Sequence, residues 1–214
     1  MHILYKICTY LKHYKGEFMK IKSTGNKKGQ EVRYINSNDI IRLKEYFRDN
    51  NKIIILSIFN IGLNTGLRIS DILNLKFEDI NKNRAKIEEI KTGKSKVIYF
   101  NKVCMQSIKE LKKYYKSKKI KCNSFLFKSS FNPNNSISYS AVIQYLRKAK
   151  LDLKIEYEIG THSLRKTWGY AVYKKTKNIG LLMIAFNHSS PKITLRYIGI
   201  EEDDIANIMK NTLL

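Results

Sequence analysis

Residues 51–66, NKIIILSIFNIGLNTG, constrain the fold more than any other stretch of this chain. A helix built from this run carries apolar side chains on every face, and Gly66 supplies its stop. Such a helix has to be enclosed, so other elements must pack around it. A composition with 43% hydrophobic residues and only two prolines can supply that core.

The remaining pattern is mostly helical. In SNDIIRLKEYFRD (37–49), Ile40, Leu43 and Phe47 share a face behind a cap at Ser37 or Asn38. RISDILNLK (68–76) reads as a short helical turn. LKFEDIN (75–81), AKIEEIK (85–91) and KVIYFN (96–101) are short and alternating, with KTGK (91–94) between the last two. They predict a small three-stranded antiparallel sheet with a hairpin tip. Further helices are expected over 102–119, 137–150, 162–176, 179–186 and 201–214, with a short one around Tyr197. The expected class is α+β, mainly α. Residues 1–30 hold seven lysines against Glu17 and end in STGNKKGQ, so 1–31 are expected to be a basic arm or linker and 32–214 the folded domain.

Charge narrows the partners. Lys and Arg number 41 against 18 Asp and Glu, a net +23. Repulsion on that scale favours a polyanionic partner, and double-stranded DNA is the obvious one. A lysine-rich sequence from an AT-rich genome is the bland alternative. Cys8, Cys104 and Cys122 have no metal-ligand spacing and read as reduced residues. Lysines interrupt every apolar run of the first residues, so neither a signal peptide nor a membrane span is expected, and the location is expected to be cytoplasmic. No metal or other cofactor is implied.

Several residues carry possible chemistry. Arg68 in NTGLRISD follows a glycine at a helix entry, where a guanidinium can meet a phosphate in bidentate fashion. His162 and Arg165 in THSLRKTWGY are three apart and share a helix face. Lys91 sits at the hairpin tip, with Lys94 and Lys96 as rivals. Tyr197, nine positions after His188, is one of 14 tyrosines and needs cations nearby to attack at neutral pH. Taken singly, each has an ordinary explanation: a surface arginine, polar first-turn residues behind Thr161, a turn lysine, a core aromatic.

In this order, over residues 36–210, the set resembles the tyrosine recombinase (phage integrase) family. The resemblance implies that family's DNA breaking-rejoining fold and a metal-independent site-specific recombinase or integrase. It implies that Arg68 and Arg165 clamp the scissile phosphate and that His162 is a general acid/base for the tyrosine's proton. Lys91 would protonate the leaving 5′ oxygen, His188 would hydrogen-bond the phosphate, and Tyr197 would form a 3′-phosphotyrosyl bond. Asp71 stands where an acid supports the first arginine. Asn187 replaces the glycine usual before the second histidine, and asparagine tolerates the left-handed backbone such a turn needs. Thirty basic residues cannot be the helical DNA-binding domain that usually precedes this one, so the chain is either cut from a longer protein or a short relative.

Two further features fit DNA. KELKKYYKSKKIK interleaves Tyr114 and Tyr115 with seven lysines, Lys112, Lys113 and Lys116 among them, and reads as a strip for phosphate contacts. A solvated helix face is the alternative. In the closing helix, Ile205, Ile208 and Met209 form an apolar stripe. The resemblance implies docking on a neighbouring protomer within a homo-oligomer on DNA (a synaptic tetramer); packing on its own core is the alternative. Two other functions compete: a type IB topoisomerase-like relaxing enzyme, and a DNA-binding relative that does not cut.

Overall fold

The computed structural model describes residues 32–200 and Lys210. The basic arm and the closing stripe of Ile205, Ile208 and Met209 lie outside the described residues. Within them the chain forms eight helices and one sheet. The order is α1 (Ser37–Asp49), α2 (Ile53–Thr65), α3 (Ile69–Leu73), β1 (Ile80–Asn81), β2 (Arg84–Glu88), β3 (Ser95–Tyr99), α4 (Lys102–Ser117), α5 (Tyr139–Asp152), α6 (Thr161–Thr176), α7 (Ile179–Phe186) and α8 (Pro191–Ile198). No helix of the described residues is long and apolar enough to cross a membrane.

Helix α2 is the centre. Every residue from Ile55 to Gly62 is buried, and α4, α6, α1 and α3 pack around it. The all-apolar run is enclosed as its sequence demands. Its C-cap, Gly66, has φ +62°, and a Cβ there would lie 2.3 Å from the Trp168 ring. Only glycine satisfies both conditions. Just past this bend comes Arg68, the residue before α3, close enough for its charge to act on His162 and Arg165 of α6.

The sheet is antiparallel in the order β1-β2-β3, with Ile87 opposite Lys96 and Ala85 opposite Ile98. It is shorter than the sequence pattern suggests. Of the expected strand 75–81 only Ile80–Asn81 joins the sheet; Lys76 instead makes an isolated antiparallel bridge with Phe125, and residues 76–79 turn, the Lys76 N–H donating to Asp79 Oδ2 (2.8 Å) and the Asp79 N–H to Lys76 O. Strand β2 stops at Glu88, and the turn spans 89–94 rather than KTGK alone.

Two caps also differ. Asn36, rather than Ser37 or Asn38, caps α1 by accepting from the Asp39 N–H. Thr161 is the first residue of α6, not its cap; the Gly160 N–H instead donates to Ser163 Oγ (3.2 Å).

A second, smaller apolar cluster lies outside the main core. Leu182, Phe186 and Ile198 form it with Trp168 and Tyr197 packed alongside, so α7 and α8 rest on the outer side of α6. Gly169 permits the close approach, since a Cβ there would sit 2.6 Å from Phe186 Cζ.

Candidate active site

The site lies where α6, the α2–α3 bend, the hairpin turn and α8 meet. Arg165 is 3% exposed. Its guanidinium donates to Gly66 O and to Phe186 O (3.2 Å) and lies 4.3 Å from the centre of the Phe186 ring. The carbonyl at the end of α2 and the carbonyl at the end of α7 thus fix one planar cation from two sides. Arg68 stands nearby, its Nη1 3.1 Å from Glu89 Oε2.

Tyr197 is brought in by α8. Ser190 accepts from the Ile193 N–H, Pro191 opens the helix, and Gly199 at φ +80° ends it. Asn187, at φ +56°, makes the left-handed turn before it. The Tyr197 hydroxyl lies 3.3 Å from His162 Nδ1. The edge of its ring meets Phe186 and His188, with centroids 5.3 and 5.2 Å away, and Lys166 Nζ is over the ring at 5.4 Å.

The electrostatics set the protonation states. Burial raises the Tyr197 pKa above the ordinary phenol value, while the charges of Arg165 and Arg68 and a hydrogen bond from Arg165 pull it back down. Burial, then the charges of Arg165, Lys166, Arg68 and Lys91, hold His162 below the usual imidazole range. A protonated phenol therefore faces a neutral imidazole. In the tautomer with its hydrogen on Nε2, that imidazole accepts the phenolic hydrogen at Nδ1. His188 is likewise lowered by burial and by the two arginines, and its Nδ1 is 3.1 Å from Thr194 Oγ1.

The structure thus brings Arg68, His162, Arg165, His188 and Tyr197 together. Lys91 is exposed on the turn, near enough for its charge to act on His162. Lys94 and Lys96 engage the protein: Lys94 Nζ donates to Asn187 Oδ1 and half-buried Lys96 Nζ to Ala185 O, both at 3.1 Å. Lys112, Lys113 and Lys116 are exposed on α4, but the lysine strip loses one aromatic. Tyr115 is fully buried, its hydroxyl donating to Leu126 O and accepting from the Lys128 N–H, because it continues the inward face of Cys104, Ile108 and Leu111. Asp71 is buried, and its Oδ1 accepts from the Ile90 N–H (3.1 Å).

The carboxylate paired with Arg68 is Glu89, which sequence reasoning passed over. Burial drives the Glu89 carboxyl up, but the Thr92 hydroxyl, Arg68 and Lys96 outweigh it and keep the pKa below the ordinary value. The signal was present. Ala85 and Ile87 face inward, and a period of two puts Glu89 on the same face, where a carboxylate needs a cation.

A tyrosine beside a histidine and two guanidiniums, on a helical fold with one small hairpin sheet, marks a DNA strand-transferring enzyme. The chain belongs to the phage integrase family, the tyrosine recombinases: the family's model matches residues 33–203. It is similar to the probable integrase/recombinase YoeC of Bacillus subtilis, 42% identical over 165 residues that cover 77% of this chain and 87% of that one. It is also similar to the tyrosine recombinase XerS of Streptococcus pyogenes, 31% identical over 175 residues, and spans about half of it (79% of this chain, 48% of XerS). Among solved structures, the XerH site-specific recombinase in its post-cleavage complex with difH substrate shares the fold, with a TM-score of 0.68 over 90% of this chain and 56% of that one at 15% identity. Among the described residues, no group of three or more His, Cys, Asp or Glu could hold a metal ion.

Proposed function

We propose that this chain is a site-specific recombinase or integrase that cuts and rejoins DNA through Tyr197. The observation that carries the reading is the 3.3 Å approach of the Tyr197 hydroxyl to a neutral His162, within one chain and beside Arg68 and Arg165. The arginines bind the non-bridging oxygens of the scissile phosphate and offset the charge that builds there. As Tyr197 O bonds to phosphorus, its proton passes to His162 Nδ1. The bond from phosphorus to the 5′ oxygen breaks, and the ammonium of Lys91 gives that oxygen a proton. His188 lies on the same side. Burial and the two arginine charges hold its pKa low, and its ring N–H hydrogen-bonds the phosphate. Reversal by another strand's 5′ hydroxyl releases Tyr197 and joins new ends.

DNA is the substrate, and exposed Lys112, Lys113 and Lys116 supply phosphate contacts. Residues 32–214 are the catalytic domain and 1–31 a basic arm; Asp71 supports the first arginine through the hairpin it pins. Assembly on paired sites as a homo-oligomer, with the closing segment exchanged between protomers, completes the reading.

The test is covalent capture. A random-sequence duplex pool, nicked in one strand so that the cleaved fragment escapes, is incubated with protein in excess EDTA and denatured in SDS. Wild type is expected to retain a sequence-restricted subset of duplexes and Tyr197→Phe none. Absence of a wild-type adduct, or an undiminished one in the Phe variant, would overturn the reading.

A further inference from the structure

Glu89 lies at the base of the β2–β3 turn and is 4% exposed. The turn closes on it. The Glu89 N–H donates to Lys94 O (3.0 Å), and Glu89 O accepts from the Thr92 N–H (3.2 Å) and the Gly93 N–H (2.8 Å). Its carboxylate does two more things with the same oxygen, Oε2. It accepts from Thr92 Oγ1 at 2.8 Å and pairs with Arg68 Nη1 at 3.1 Å. Thr92 is the residue after Lys91. Next to Glu89, the Ile90 N–H donates to Asp71 Oδ1, so two neighbouring points of the turn are fastened to the Arg68–Ile69–Ser70–Asp71 segment.

Charge explains why an acid is needed there. Arg68, Arg165 and Lys96 are three cations drawn into one partly buried site, with Glu89 and Asp71 as the anions acting on them. Lys91 and Lys166 add further positive charge close by, so without its acids the site would be strongly cationic. Without Glu89, Arg68 would face Arg165 and Lys96 with less to hold it in place, and like charges in a partly desolvated site separate.

Resting on the roles given above to Arg68 and Lys91, we propose that Glu89 is a positioning residue for strand cleavage: its carboxylate holds the Arg68 guanidinium against the phosphate and, through Thr92, fixes the turn that presents Lys91 to the leaving oxygen. One side chain thereby sets the distance between the phosphate clamp and the proton donor. Its two arms are separable. Glu89→Gln keeps an oxygen for the Thr92 hydroxyl and loses the charge facing Arg68. Thr92→Val keeps the Glu89–Arg68 pair and loses the tether to the turn.

The experiment uses a duplex recovered by the covalent capture, prepared with its normal 5′-bridging oxygen and with sulfur in that position. A thiolate leaves without a proton, since its pKa is near 8.5, so the sulfur substrate does not need Lys91. Glu89→Gln is expected to slow adduct formation about 10- to 100-fold on both substrates, the cost of a misplaced phosphate-binding group. Thr92→Val is expected to be slow on oxygen and restored on sulfur, and Thr92→Ser to behave as wild type on both. Gel shifts should show DNA binding unchanged in all three.

Wild-type rates for Glu89→Gln, or equal losses on oxygen and sulfur for Thr92→Val, would overturn the inference. If Glu89→Gln does not fold, the Thr92 pair and the two leaving groups still decide it. Failure of wild type to form any adduct would count against the proposed function itself. A normal wild type with indifferent variants counts only against Glu89.

Discussion

Helices α2 and α7 are both apolar along most of their length, and they end in opposite situations. Eight successive residues of α2 are buried beneath four other helices. In α7 only Leu182 and Phe186 are buried, while Leu181 is 54% and Ile184 79% exposed. An apolar run states what has to be covered, not what covers it. The enclosed helix ends in the Gly66 turn that holds Arg165 and aims Arg68. The half-covered one leads into His188 and, through α8, Tyr197. The end of α2 that carries Arg68, the proposed phosphate clamp, therefore stands on the main core, and Tyr197, the proposed nucleophile, on a small cluster beside it.

The sharpest way to break this contrast is to hollow out each core. Phe59, 1% exposed in α2, has nothing to collapse around it, so Phe59→Ala is expected to lose about 3–5 kcal/mol in urea unfolding. A loss under about 1 kcal/mol would mean that α2 does not carry the frame. Gly66→Ala comes next. The left-handed backbone and the Trp168 contact together should cost about 1–3 kcal/mol, with adduct formation falling further than stability because the Gly66 carbonyl no longer seats Arg165.

Acidity probes the junction of the two regions. On the proposed mechanism adduct formation needs neutral His162, so the rate should be flat at neutral pH and fall as pH drops through a midpoint below the ordinary 6.5. That fall is about tenfold, or 1.4 kcal/mol, per unit. The stability sign agrees. With His162 and His188 lowered in the folded state, the unfolded chain binds more protons below 6.5, so their contribution is complete above that value and lost as pH falls through the lowered one. A midpoint above 6.5 would mean that burial and the surrounding cations do not govern His162. The smallest effect belongs to Ile184→Ser on the exposed face of α7, expected to change stability by less than about 0.5 kcal/mol. A larger loss would show that α7 is covered after all.

What the sequence made legible follows the same division. Enclosure of α2 could be read from its composition alone, and the site could be read because Arg68, His162, Arg165, His188 and Tyr197 occur in one order. The position of Asn36 as cap and the turn that takes 76–79 out of the sheet depended on which side chain reached a free N–H first, a choice between near-equal local options. Tyr115, Glu89 and Lys96 were different. Each lies in phase with buried neighbours, Tyr115 with Leu111 at helical spacing, Glu89 with Ala85 and Lys96 with Ile98 at strand spacing. Their polar character disguised an inward face, and only partners distant in sequence (Leu126 for Tyr115, Arg68 for Glu89, Ala185 for Lys96) make those positions tenable.

The central claim is that this one tyrosine, out of 14, attacks DNA because His162 and the arginines are gathered around it. Peptide mapping of the captured adduct tests it most directly. Trypsin cuts after Arg196 and Lys210, so digestion of the SDS-stable complex followed by mass spectrometry should place the nucleotide remnant on the peptide of residues 197–210, at Tyr197. A remnant on any other tyrosine, or on a serine, would contradict the account.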